Sequence, residues 1–319
     1  MARYLVTGGA GFIGSHLVEA LVNRGDDVVV FDDLSSGRYE NIAHLEGRFR
    51  FVRDDLRTLP AVEAAMEGVD FVSHLGALGS VPRSIADPIT SHNVNATGTL
   101  NVLLAAKQAR VKRVVYASSS SVYGDNVALP TVETMPLRPI SPYALTKLTG
   151  EEYCRIFSLV YGLETVTLRF FNVFGPRQWP NSPYAAVIPK FINAMLEGRA
   201  PIINGDGLQS RDFTFVLNNI DANLKALEMP AQQVVGRSFN IACGDQISLV
   251  DIVSGLNQIL GTNIAPEFGP TRPGDIKHSC ANIVAAAQLL NYRPLVRFWE
   301  GLEQTVDHYR QLMDTPNIL

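Results

Sequence analysis

The apolar residues of the chain fall into short runs separated by stretches of helical spacing. Tyr4-Leu5-Val6, Val28–Phe31, Phe49–Val52, Phe71–His74, Val114–Ala117 and Thr165–Leu168 are such runs, and they predict buried strands. Between most of them lie helical patterns: Leu17, Val18, Ala20 and Leu21 in the first, then Asn95–Ala109 and Tyr143–Tyr161. Alternating strands and helices predict an α/β fold, a doubly wound parallel sheet with helices on both faces. Ligands of such sheets sit beyond the carboxyl ends of the strands. Three segments fall there: Asp54-Asp55-Leu56, Gly76–Ser80 and Ser118–Ser121. After about residue 172 the texture changes, with Pro176, Pro180, Pro183, Pro189, Pro201, Pro266, Pro270 and Pro273 interrupting shorter elements. A first domain over 1–172 and a smaller, mixed, loop-rich lobe over 173–319 are expected. The runs near Phe213–Val216 and Ser238–Ile241 are expected to rejoin the first domain's sheet.

The turn after the first strand reads Thr7-Gly8-Gly9-Ala10-Gly11-Phe12-Ile13-Gly14. Glycines at 8, 11 and 14 permit a tight turn, close approach of backbone to a pyrophosphate, and close helix–strand packing. Free amides at the helix start would hold the phosphates. The second strand ends at Asp32, whose carboxylate can take the ribose hydroxyls of an adenosine. It would repel a 2′-phosphate, which favours NAD over NADP, although Arg38 argues the other way.

A second signal is Ser141-Pro142-Tyr143-Ala144-Leu145-Thr146-Lys147. Ser141 is a good N-cap and Pro142 suits the first helical position, so a helix is expected to start here. Tyr143 and Lys147 then lie four apart on one face. A phenol ionises near pH ~10, and bringing it to about 7 takes roughly 4 kcal/mol of phenolate stabilisation. A neighbouring ammonium and the positive end of the helix can each supply part of that. The pair is a candidate general base for an alcohol.

Composition narrows the function classes. The chain has 319 residues, 46% of them hydrophobic, enough for a large core. A net charge of −4, a pI near 5.9 and no basic tract argue against nucleic acid or an anionic membrane as main partner. No apolar run reaches the ~18 residues of a spanning helix, and Met1 leads into a strand without a signal-like apolar region. Cys154, Cys243 and Cys280 are odd in number and widely spaced, which suggests neither disulfides nor a metal site. A soluble, cytoplasmic protein is expected. His16, His44, His74 and His92 are scattered and expected to pack or face solvent.

Taken together, TGGAGFIG, GALGSVPRSIADP, ASSSSVYGD, SPYALTK, RFFNVFGPRQ, NGDGLQSRDF and RPGDIKH resemble the ordered motifs of the extended short-chain dehydrogenase/reductase family. The resemblance spans essentially the whole chain and is specifically to nucleotide-sugar 4-epimerases. GALGSVPRSIADP and YAAVIP look most like the branch acting on UDP-N-acetylglucosamine and UDP-N-acetylgalactosamine. It implies a Rossmann fold, bound NAD, a UDP-sugar substrate and a homodimer through the Asn95–Ala109 and Tyr143–Tyr161 helices. It also implies a mechanism. Tyr143 takes the proton of the sugar 4-hydroxyl while hydride passes to NAD, and the 4-keto sugar turns over before the hydride returns to its other face.

The residue roles implied are these. Ser119, four before Tyr123, joins Tyr143 and Lys147 as the catalytic serine. NAD contacts carried over are Gly8, Gly11, Phe12, Ile13, Asp32, Asp55, Leu56, Leu75, Ala77, Asn95, Tyr143 and Lys147; Asn95 reads equally as an ordinary buried amide. Ser80, Ser120, Ser121 and Asn172 would meet the sugar or its phosphates. Arg211 and Arg272 would clamp the diphosphate, Asp275 the uridine ribose, and the backbones around Val187 and Asn204 the uracil. Ser279 matches a place where a large aromatic in some epimerases crowds the sugar's 2-substituent. A small side chain there admits an N-acetyl group without requiring one, so UDP-glucose is a further expected substrate.

Trp179 and Ser182 stand where Asp and Gly are usual, and Asn282 where Asp is common. UDP-uronate 4-epimerases and decarboxylases of the same family share much of this pattern, but decarboxylation needs an added acid/base group, and the serine loop has no Glu. A 4,6-dehydratase would carry Asp-Glu where Ser120-Ser121 stands. A non-catalytic NAD-binding scaffold commonly loses the Tyr or the Lys, and both are present here.

Overall fold

The structure is a computed structural model and describes residues 2–125, 128–180, 186–271 and 277–314. At its centre lie β1 (Arg3–Thr7), β2 (Asp27–Phe31), β3 (Arg50–Val52), β4 (Phe71–His74), β5 (Arg113–Ser119) and β6 (Glu164–Phe170). With the strand Ser238–Ile241 they form one seven-stranded parallel sheet. Its order is Ser238–Ile241, β6, β5, β4, β1, β2, β3. The order reverses between β1 and β4, and a crevice opens there beyond the strand ends.

Helices α1 (Phe12–Asn23), α2 (Leu59–Ala65), α3 (Val81–Ala86), α4 (Pro88–His92), α5 (Gly98–Gln108) and α6 (Pro142–Tyr161) belong to this half. Alternate residues of each strand serve opposite faces. On β5, Val115 and Ala117 join the core that holds α1 and the helix Val216–Glu228. Val114 and Tyr116 join the core that holds α2, α5 and α6. Burial on both faces is why these strands read as unbroken apolar runs.

Two expectations are modified. Ser238–Ile241 enters the sheet beside β6, but the run near Phe213–Val216 does not: Thr214–Phe215 pairs with Val173–Phe174 outside it. Val216 already begins a helix, so two residues are all that run can offer as strand. The helix expected from Asn95 starts with a wider π-type turn over Asn93–Thr97 before α5 proper.

Helix α6 begins as its sequence dictates. Ser141 Oγ accepts Ala144 N at 3.1 Å, Pro142 opens the helix, and the chain leaves it at Gly162 with φ +70°. Gly150 lets it lie close on β5, since a Cβ there would stand 2.3 Å from the Tyr116 hydroxyl. That contact fixes how deeply the Tyr143 and Lys147 face sits over the strand ends. No helix among the described residues is long and apolar enough to cross a membrane.

Candidate active site

A cleft of about 840 Å³ runs over the carboxyl ends of β1, β2, β4 and β5, lined at one end by the glycine turn and at the other by Ser119–Ser121, Tyr143 and Lys147. A second cleft of about 840 Å³ extends into the C-terminal part, lined by Ser80, Val187, Asn204 and Gln209. Asn172 and Arg211 line both, so the two form one groove.

The turn at the first end is built for a diphosphate. Gly8 has φ +68°, and a Cβ there would stand 2.7 Å from Gly76 Cα. A Cβ on Gly14 would stand 2.1 Å from Gly8 O. Backbone can therefore approach backbone only with these glycines. Helix α1 starts at Gly11 with no side-chain cap and no acidic residue in its first turn, which leaves a helix N-terminus open to an anion. Next to it, Asp32 Oδ2 accepts Ala10 N at 3.0 Å and Oδ1 accepts Leu34 N at 2.9 Å. Burial raises the Asp32 carboxyl's pKa against those two bonds, and lone pairs remain for ribose hydroxyls. Arg38 stacks on Trp179 with its guanidinium carbon 3.8 Å from the ring centre, and Trp179 lines the cleft. Asp55 lines it too, its carboxylate held by Arg57 at 2.5 Å. Phe12, Ile13, Leu56, Leu75 and Ala77 complete this wall. These features fit NAD.

At the other end, Ser119 closes β5 and accepts Ser121 N at 3.2 Å through Oγ. Burial is the larger effect on the Tyr143 phenol and raises its pKa, while the Ser119 side chain acts in the opposite direction and favours the phenolate. The chain alone thus does not supply the lowered phenol pKa that the Tyr–Lys spacing suggests. Lys147 Nζ donates to Ala117 O at 2.7 Å and lies 5.1 Å from the centre of the Tyr116 ring. Burial lowers the Lys147 pKa to about 8, with Glu151 acting in the opposite direction. Ser121 Oγ is buried, has no hydrogen-bond partner among the described residues, and lines the cleft with Ser120.

Towards the substrate end, Asn172 adopts φ +32° and donates to Asp212 O at 3.0 Å and Ser279 Oγ at 3.4 Å. Arg211 donates to Ser210 O at 2.9 Å and Lys277 O at 3.1 Å. Ser279 lines the cleft. Arg272, Asp275 and Ser182 lie outside the described residues.

The model of the NAD dependent epimerase/dehydratase family matches residues 4–242. A UDP-glucose 4-epimerase of Mycolicibacterium smegmatis is 40% identical, over 97% of this chain and 98% of its own. The chain belongs to this family. Among solved structures, a UDP-N-acetylglucosamine 4-epimerase from Methanobrevibacter ruminantium, in complex with UDP-N-acetylmuramic acid, superposes with a TM-score of 0.92. It shares 40% identity and covers 98% of this chain and 99% of its own. A UDP-glucuronic acid 4-epimerase from Bacillus cereus, in complex with UDP-glucuronic acid and NAD, gives 0.90 at 35% identity, over 97% and 99%. The chain thus stands among the UDP-sugar 4-epimerases of an NAD-dependent family.

One residue carried over as a cofactor contact has a structural role in the protein. Asn95 does not line either cleft. Its amide is 1% exposed and is used inside the protein: Oδ1 accepts Leu78 N at 2.8 Å, and Nδ2 donates to Leu78 O at 3.3 Å and Thr146 Oγ1 at 3.0 Å. It ties the Gly76–Ser80 loop to α6. Sequence reasoning also missed Ser84, whose Oγ accepts the otherwise free Tyr143 N–H at 3.0 Å. Asp212 was missed as well. It is fully buried and accepts Cys243 N, Gly244 N and Ala281 N at 2.9–3.0 Å, while burial pushes its carboxyl up to about 6. Its backbone N–H donates to Ser279 Oγ at 3.4 Å, and its place beside Arg211 in NGDGLQSRDF was the one available signal. Asn282 Oδ1 accepts Val284 N at 2.9 Å, a local turn role away from the chemistry.

Proposed function

We propose that the enzyme inverts carbon 4 of a UDP-N-acetylhexosamine, interconverting UDP-N-acetylglucosamine and UDP-N-acetylgalactosamine, with UDP-glucose and UDP-galactose as further substrates. The observation that carries this reading is the small Ser279 on the cleft wall beside Asn172. When bound, NAD supplies a reversible hydride acceptor for carbon 4, and its positive ring favours a nearby phenolate. The chain's own residues do the rest. Tyr143 removes the 4-hydroxyl proton and gives it back to the 4-oxygen once the sugar has turned and presents its other face for reduction. Ser119, which lines the cleft with that phenol, steadies the 4-oxygen and passes the proton. Buried Lys147 keeps a cation next to the site. Ser121 Oγ, with no partner among the described residues, offers a hydrogen bond to the sugar. Arg211 meets the diphosphate between the two clefts.

Placing an aromatic ring at the wall tests the specificity. Ser279→Tyr is expected to lower kcat/KM for UDP-N-acetylglucosamine by roughly 10–200-fold and leave UDP-glucose within a few-fold. Equal losses on both sugars, read by coupled assay of each, would remove Ser279 as the discriminating position.

The same reading includes a homodimer. On α6, Leu145, Ile156, Leu159 and Val160 form one exposed apolar stripe, with Leu159 72% exposed. A second copy of the same stripe is a matching cover. Sedimentation equilibrium is expected to give twice the 34.9 kDa of one chain, and a single chain mass at micromolar concentration would contradict it.

A further inference from the structure

Helix α6 carries a third polar residue on the face of Tyr143 and Lys147. Glu151 is one more turn along, 5% exposed, and lines neither cleft. Beneath it, Ser118 on β5 and Arg169 on β6 are direct cross-strand partners. Arg169 donates to both Glu151 oxygens, Nη2 to Oε2 at 2.7 Å and Nε to Oε1 at 3.0 Å, and the Ser118 hydroxyl donates to Oε1. The remaining arm of Arg169 donates to Tyr123 Oη at 2.8 Å and Glu133 O at 3.1 Å, and Tyr123 in turn donates to Asn240 Oδ1 at 2.7 Å.

One helix stripe therefore grips two consecutive residues of β5, and the residue that follows them is Ser119. Lys147 holds Ala117 O and Glu151 holds Ser118. A buried ion pair is costly to desolvate, and apolar side chains of similar volume often serve stability as well or better. Its place behind the catalytic residues gives it a different use.

We propose that Glu151 is a positioning residue for the epimerase reaction: it sets a fixed negative charge one helical turn from Lys147 and anchors the end of β5 that presents Ser119. The inference rests on the epimerase reading for its catalytic meaning, though not for its electrostatics. The titratable and charged groups around Lys147 are Tyr143, Glu151 and Cys154 on α6, Tyr116 on β5, His74 on β4 and, behind Glu151, Arg169 on β6. Burial pushes Cys154 and Tyr116 up and His74 down to about 3, so these three are neutral in the working range. Of this set, Glu151 is the anion that offsets the burial of the Lys147 ammonium. Without it, Lys147 loses its proton at lower pH, and with that the cation that favours the Tyr143 phenolate.

The test reads Lys147 directly. Protein labelled with ¹³Cε-lysine is titrated by NMR, with Lys147→Arg used to assign the signal. In the wild type the Lys147 midpoint is expected near 8. In Glu151→Gln, and in the double variant Glu151→Gln/Arg169→Gln that leaves no buried Arg169 charge without its partner, it is expected about one unit or more lower. The alkaline limb of kcat should move by the same amount, lowering kcat above that limb about tenfold per unit, with KM nearly unchanged. Glu151→Asp, which keeps the charge, should restore the wild-type limb. An unmoved midpoint in the double variant overturns the proposal, even where the single variant does not fold. So does a uniform fall of kcat at every pH, which marks a packing role alone. Because the titration needs no turnover, an inactive wild type would count against the epimerase reading and leave this result standing.

Discussion

Tyr143→Phe is expected to lower kcat by about 10²–10⁴-fold while the protein folds normally and retains its NAD. The substitution deletes one oxygen and keeps the ring. The Tyr143 backbone N–H still meets Ser84 Oγ, and the Ser141 cap of α6 is untouched. What disappears is the group that exchanges a proton with the sugar 4-hydroxyl. Ser119 cannot replace it, since a serine hydroxyl has no accessible anion at working pH, and Lys147 Nζ is engaged with Ala117 O. KM should change little, because the loss falls in the transition state. Steady-state kinetics, with NAD measured after acid release, checks each part. A variant within tenfold of wild type would assign the base elsewhere.

Gly14→Ala is expected to have the other large effect, on cofactor rather than chemistry. A Cβ there would be 2.1 Å from Gly8 O and 2.8 Å from Gly9 Cα, both backbone atoms that no rotamer change can move aside. Helix α1 must shift off the glycine turn, and the amides at its start then lose their aim at the diphosphate. Overpacking of this kind costs roughly 1–3 kcal/mol. The purified variant should contain little NAD and melt several degrees lower. Gly11→Ala is a graded comparison, because its Cβ would meet Gly8 O at 3.1 Å, a contact that small adjustments can relieve. NAD content equal to wild type in Gly14→Ala would contradict the role given to this turn.

The central strands, the glycine turn and the Tyr143–Lys147 pair were legible because each is local. A run of apolar residues, a triplet of glycines and an i, i+4 spacing carry their meaning within a few positions. What could not be read needed partners distant in sequence. Glu151 looks like one more charge on a long helix until β5 and β6 set Ser118 beside Arg169 beneath it. Asp212 gathers three amides from segments more than 30 residues away. Asn95 illustrates the reverse: the sequence places it correctly near the cofactor loop but cannot show that its amide is already used on Leu78 and Thr146. The direction of the Tyr143 shift was missed for a related reason, since spacing reveals the cation but not the depth of burial.

The most direct test is turnover without added cofactor. The purified protein is incubated with UDP-N-acetylglucosamine, no NAD is supplied, and the nucleotide sugars are separated by chromatography. The account predicts that the galacto isomer appears and approaches a fixed ratio from either direction, with no NADH accumulating in solution. Absence of any 4-epimer from UDP-N-acetylglucosamine, UDP-glucose and UDP-glucuronate, even with NAD supplied, would contradict it.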